Sequence, residues 1–203
     1  GVERFDLGAL EGCDYVVVPF ADEPRLAHTM VSFRFRDGRN IAVSVEARRE
    51  EGEAYSVLRA MLRQFELLYV IGDEEDLIGG RILARGDTVY LYPIVAEPEA
   101  IRRFFTKLLQ SADEVSRRPR WYNTLRSNCT TTLVETLEET RGESLPWDLR
   151  ILLPGGSAEL VYDLGLLDSS RPFDVLKHEA RVDAKAIAER TGDFSDRLRT
   201  GSH

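Results

Sequence analysis

Cys129 is the residue best placed to do chemistry. It stands in Arg126-Ser127-Asn128-Cys129-Thr130-Thr131-Thr132-Leu133, where Asn128 is a good helix N-cap and Thr131 to Leu133 open the helix. A thiol in the first helical turn meets unpaired backbone N–H groups and the positive end of the helix dipole. Both favour the thiolate, which is the nucleophilic form. A small buried hydrophobe is the alternative use of a cysteine at such a position. A thiolate needs a base, and the histidines are His28, His178 and the terminal His203. His178 lies in a late polar segment with no partner in view and reads as a surface residue.

His28 opens a different pattern. Residues 28–35 alternate in polarity, Asp37-Gly38 supplies a turn, and residues 41–48 alternate again, so the spacing predicts a hairpin. Val31, Phe33 and Phe35 then share one face with Ile41, Val43 and Val45. The other face carries His28, Met30, Ser32 and Arg34 with Ala42, Ser44, Glu46 and Arg48. Counting back from a turn near Asp37 sets His28 across from Glu46 or Arg48, with Ser44 diagonal to it. A carboxylate on one ring nitrogen fixes the tautomer and makes the other nitrogen a better base. A solvated sheet face with one chance histidine would give the same periodicity.

The elements that must position these groups can be read along the chain. Tyr15 to Phe20 is a strand stopped by Pro24, and Phe65 to Ile71 and Val89 to Ile94 are further strands. Helical spacing occurs at 55–64 and, through Ile101, Phe104, Phe105, Leu108 and Leu109, at 98–111. The helix that begins near Cys129 ends at Gly142, a C-terminal cap. Short helical pieces follow at 157–164 and 182–190, with turn signals between them. The expected fold is α+β, an antiparallel sheet packed against helices, in a single domain over 1–200.

Composition narrows the function classes. The 203 residues carry a net charge of −8 and no Lys/Arg-dense run, which argues against nucleic acid as a partner. No stretch approaches the roughly 18 apolar residues of a membrane-spanning helix. There is no initiator Met or recognisable signal peptide, and Gly201-Ser202-His203 reads as a cloning remnant, so flanking targeting or membrane segments are expected in the native protein. Cys13 and Cys129 form no disulfide framework, and no histidine and cysteine spacing fits zinc. No metal or cofactor is expected. Asp73-Glu74-Glu75-Asp76 reads as a solvated turn. Glu66 reads as a buried acid paired with Arg48 or Arg126, and Trp121 and Tyr122 as core packing.

The segment Trp121-Tyr122-Asn123-Thr124-Leu125-Arg126-Ser127-Asn128-Cys129-Thr130-Thr131 closely resembles the signature of the Lnb N-terminal periplasmic domain family. Residues 27–33, Ser44-Val45-Glu46-Ala47-Arg48, residues 65–74, Pro146-Trp147-Asp148-Leu149-Arg150 and residues 162–167 agree with it, so the resemblance spans about 14 to 200. That family looks like a branch of the papain-like, NlpC-type cysteine enzymes in permuted order, with the histidine strand before the cysteine helix. The resemblance implies a thiol-dependent acyltransferase of the bacterial periplasm, membrane-anchored through flanking segments. Its substrates would be phospholipid or lipoprotein acyl groups, and its acceptor an amine such as a lipoprotein N-terminus. Carried across, Cys129 is the nucleophile and His28 the base; the hairpin face offers Glu46 as the third group, with Ser44 behind it. Asn128 and Tyr122 are candidates to support the oxyanion. An NlpC-type amidase or peptidase of the cell envelope and a non-catalytic periplasmic binding module are the alternatives.

Overall fold

The computed structural model describes residues 3–48, 65–122 and 128–200. The helix expected at 55–64 lies outside the described residues. Among the described residues six strands, β1 (Leu10–Pro19), β2 (Ala27–Phe35), β3 (Asn40–Arg48), β4 (Phe65–Asp73), β5 (Tyr90–Pro93) and β6 (Trp121–Tyr122), form one antiparallel sheet in the order β5-β1-β2-β3-β4-β6. The class is α+β, as the periodicity implied.

The turn between β2 and β3 places Gly38 at φ +85°, a conformation open to glycine without cost. It sets the register Phe33↔Ile41 to Met30↔Ser44. A shift of one residue would send every side chain to the opposite face.

Both faces of the sheet are buried. On one, Tyr15, Val17, Val31, Phe33, Ile41 and Val43 pack against Ile101, Phe105 and Leu108 of α1 (Pro98–Arg117) and Leu133 of α2 (Cys129–Arg141). The apolar stripe of α1 is the one its spacing predicted, with Pro98 in the first turn. On the other, Val16, Val18, Met30 and Ala42 meet Ile78 and Ile82 of a π-helix (Glu75–Ala84), Ile187 of α5 (Ala184–Glu189), and Phe194 and Leu198 of α6 (Phe194–Thr200). Two further short helices, α3 (Ser157–Asp163) and α4 (Phe173–Ala180), lie between.

This decides one open alternative and corrects the readings of Glu74 and Trp121. The face that carries His28 and Ser44 is not solvated, because the π-helix and the C-terminal helices cover it. In the acidic run at 73–76, Asp73, Glu75 and Asp76 are exposed and Asp73 accepts the Asp76 N–H at 2.8 Å, but Glu74 is only 1% exposed. Glu74 accepts from Ser32 of the sheet and from Arg199 of α6, whose Nη1 and Nη2 lie 2.8 and 2.6 Å from its two oxygens. Trp121 is also not core, at 56% exposed, whereas Tyr122 beside it is buried. Glu66 is half-buried on β4 with its backbone opposite Arg48, and His178 is exposed on α4.

Candidate active site

Cys129 is the first residue of α2. Asn128 caps the helix by accepting the Thr131 N–H at 2.8 Å, while the Thr131 hydroxyl accepts the Asn128 N–H at 2.8 Å. This reciprocal box fixes the direction in which the helix enters the fold. Gly142 closes its other end at φ 73°. Thr136 and Thr140 turn their hydroxyls back to the carbonyls of Thr132 and Thr136, while in the run ahead of them the Thr130 hydroxyl meets Thr29 and the Thr131 hydroxyl closes the box.

His28 and Glu46 come from adjacent strands. The β2–β3 ladder ends at Met30↔Ser44, so His28 and Glu46, next on the same face, lie past its last pair. Beyond that point β2 stays paired with β1 to Ala27↔Pro19, and β3 with β4 to Arg48↔Glu66. A cleft of about 230 Å³ opens at this break and draws side chains from both faces of the sheet: Ala27, Val45 and Cys129 from the α2 side, His28, Glu46 and Arg81 from the other. Phe20, Leu26, Leu152 and Pro154 form its apolar rim, and Arg85, Asn128 and Tyr122 also line it.

The turn that carries Pro154 is held by a close backbone approach. Gly155 donates to the Arg25 carbonyl at 2.9 Å, and a Cβ at Gly155 would sit 2.0 Å from the Pro24 carbonyl oxygen. Only glycine fits there.

The hydrogen bonds within the cleft assign the histidine. His28 Nε2 lies 2.6 Å from Ser44 Oγ and 3.0 Å from Glu46 Oε1, and the Ser44 hydroxyl donates to Glu46 Oε1 at 2.7 Å. Since that hydroxyl proton is spent on Glu46, Nε2 must be the donor and carries hydrogen. Nδ1 is then the nitrogen left for Cys129. The hairpin count that left Glu46 and Arg48 open resolves to Glu46.

The charges support one another. Burial alone would push the Cys129 thiol up, but the hydrogen bond and charge of His28, with help from Thr29, bring it down to about 7. Burial opposes a charged imidazole, yet Cys129 and Glu46 lift His28 to about 9. Glu46 is pushed up by burial and held down at about 2 by His28, Ser44 and Arg81. A thiolate beside an imidazolium is the resting form such values describe. Cys13 is the contrast: burial, with Asp14 adding to it, pushes its thiol far above the usual range. Both cysteines are free.

Three residues near the site were missed in the sequence. Arg81 comes 3.6 Å from Glu46, from a helix whose pattern was not recognised. Thr29 and Thr130, whose hydroxyls are 3.0 Å apart, flank the sulfur. The Thr130 signal was its place directly after Cys129; Thr29 carried none.

A cysteine at a helix start facing a histidine on an antiparallel sheet, the histidine strand first in the chain, is the class of site that fold and geometry define. The Lnb N-terminal periplasmic domain family matches residues 2–155 of the 203, and the chain belongs to that family. Neither the curated proteins nor the solved structures give a match. The family match places the domain in the periplasm. It ends before residues 162–167, so that part of the resemblance falls outside it. No helix among the described residues is long and apolar enough to cross a membrane.

Proposed function

We propose that the chain is a cysteine-dependent acyltransferase that moves an acyl group from a lipid or lipoprotein ester to an amine, in a permuted papain-like arrangement. The observation that carries this reading is the Cys129–His28–Glu46 constellation, with cysteine and histidine buried, the thiol held near 7 and the imidazole oriented by a half-buried carboxylate. The apolar rim and the largely apolar space behind Thr130 favour a hydrocarbon substrate over a peptide.

The Cys129 thiolate attacks the ester carbonyl carbon. A C–S bond forms, and the negative oxygen is stabilised by backbone N–H groups at the start of α2. On collapse the ester C–O bond breaks and the alcohol leaves with the proton held by His28. The amine then attacks the thioester; a C–N bond forms, the C–S bond breaks, and the amine proton returns to His28. Glu46 and Ser44 hold the ring throughout. Asn128 sets the helix start and Tyr122 shapes the wall beside the sulfur.

Water in place of the amine would give hydrolysis on the same pair, and the Glu46, Arg81 and Arg85 side of the cleft is the feature that suits a polar peptide. Contact with the bilayer would use Phe20 and Leu152 on the rim and the neighbouring Leu149 and Trp147, the latter 77% exposed, together with flanking anchor segments.

Incubation with a phospholipid or p-nitrophenyl acyl ester, followed by intact mass measurement, tests the proposal. The expected result is a hydroxylamine-labile acyl adduct on Cys129 that is discharged faster by an added amine than by water. A fully active Cys129→Ala protein, or adduct discharge indifferent to amine, would sink it. Labelling of Cys129 no faster than Cys13 would favour a binding module.

A further inference from the structure

A second and larger cavity, about 360 Å³, lies on the α2 side of the sheet. Val31, Ile101, Phe104, Leu133, Leu137 and Val161 supply much of its wall. Its size falls within the ~300–1,000 Å³ of small-molecule sites. It shares no lining residue with the Cys129 cleft, yet Thr130, the residue after the nucleophile, lines it together with Tyr15 and Ser157.

Those three, with Thr29, form the partition between the two spaces. The Tyr15 hydroxyl donates to Ser157 Oγ at 2.8 Å, and Ser157 donates to the carbonyl of Pro154, a cleft residue, at 2.6 Å. The hydroxyls of Thr29 and Thr130 lie 3.0 Å apart beside Tyr15, and Cys129 Sγ lies 3.9 Å from Thr130 Oγ1. The partition is therefore one layer of hydroxyl-bearing side chains, close beside the sulfur.

We infer that this cavity receives the hydrocarbon tail of the acyl group carried on Cys129, the chain passing Thr130 as the Tyr15–Ser157 contact opens. The inference rests on the acyl-transfer reading. The lining selects the occupant. A peptide would bring N–H and C=O groups into a wall that leaves most of them without partners, whereas a methylene chain loses nothing on leaving water. The cationic side chains that line the cavity, Arg103 and Arg141, are exposed. They ask for no charge inside.

The test uses p-nitrophenyl acetate, octanoate and palmitate on the protein and on Leu133→Trp, which fills the cavity without touching the cleft. The wild type should acylate Cys129 faster as the chain lengthens. Leu133→Trp should lose tenfold or more with palmitate and keep its rate with acetate and its iodoacetamide labelling. Val161→Phe, at the half-buried edge of the cavity, is the second variant if Leu133→Trp does not fold. An equal effect on acetate and palmitate, or a wild type indifferent to chain length, overturns the inference. Binding of cis-parinaric acid to Cys129→Ala separates the two readings. If no ester gives an adduct, acyl transfer fails. Parinarate binding that Leu133→Trp abolishes then upholds the hydrocarbon occupant, and absence of binding overturns it.

Discussion

At the residue scale the two cysteines make an internal comparison, since both are buried but only Cys129 faces an imidazole. Cys129 should react with iodoacetamide far faster than Cys13, by peptide mapping. The sign of the pH dependence follows from the shifts. The thiolate forms as pH rises through about 7, and the imidazolium is lost as pH rises through about 9. Esterase or transfer rates, which need both, should rise through the first value and fall through the second, the two midpoints belonging to the pair rather than to either residue. A single inflection near the ordinary thiol value of about 8.5 would show an unperturbed cysteine. His28→Ala removes the base and should cost about 10²–10⁴ in rate. Glu46→Gln keeps the shape but removes the charge, so it should lower the His28 midpoint, raise that of Cys129 and cost less than His28→Ala.

At the element scale, α2 aims the sulfur and the broken ladder admits the histidine. Asn128→Ala removes the side chain that takes the Thr131 N–H. Thermal or denaturant unfolding should show a loss of about 0.5–2 kcal/mol. Cys129 alkylation should slow in the same variant, as the first turn loosens. Unchanged stability would mean that packing alone holds the helix start. The caps, the amphipathic stripe of α1 and the β2–β3 register were legible in the sequence because each is set by residues close along the chain. The π-helix was not. Its ten residues have no strong apolar face, Glu74 before it makes no side-chain cap, and its Gly79-Gly80 pair reads as loop.

At the scale of the whole molecule, the chain end is tied to the middle of the sheet by buried charge. Arg199 reaches Glu74 and, at 2.8 Å, Asp14, which also accepts from Arg34 Nη1 at 2.6 Å. Glu74 and Asp14 are essentially inaccessible. Arg199→Met leaves buried Glu74 with the Ser32 hydroxyl but without its cation, while Asp14 keeps Arg34, and it should destabilise by about 3–5 kcal/mol. Urea unfolding measures it, and a loss under 1 kcal/mol would show that the network contributes little. The helices that carry this contact lie beyond residue 155, where the family match ends, yet they cover the sheet face that carries His28.

The sequence by itself determined the local parts: a cysteine at a capped helix start, and a histidine on one hairpin strand with Ser44, Glu46 and Arg48 on the same face of the other. Turn length and side-chain alternation fix such features without long-range contacts. Only the tertiary structure decided that Cys129 and His28, 101 residues apart, share one cleft. It also decided that the even-numbered face is buried and that an apolar cavity backs onto the nucleophile. These depend on which distant helices close over each face, and on where the β2–β3 ladder breaks.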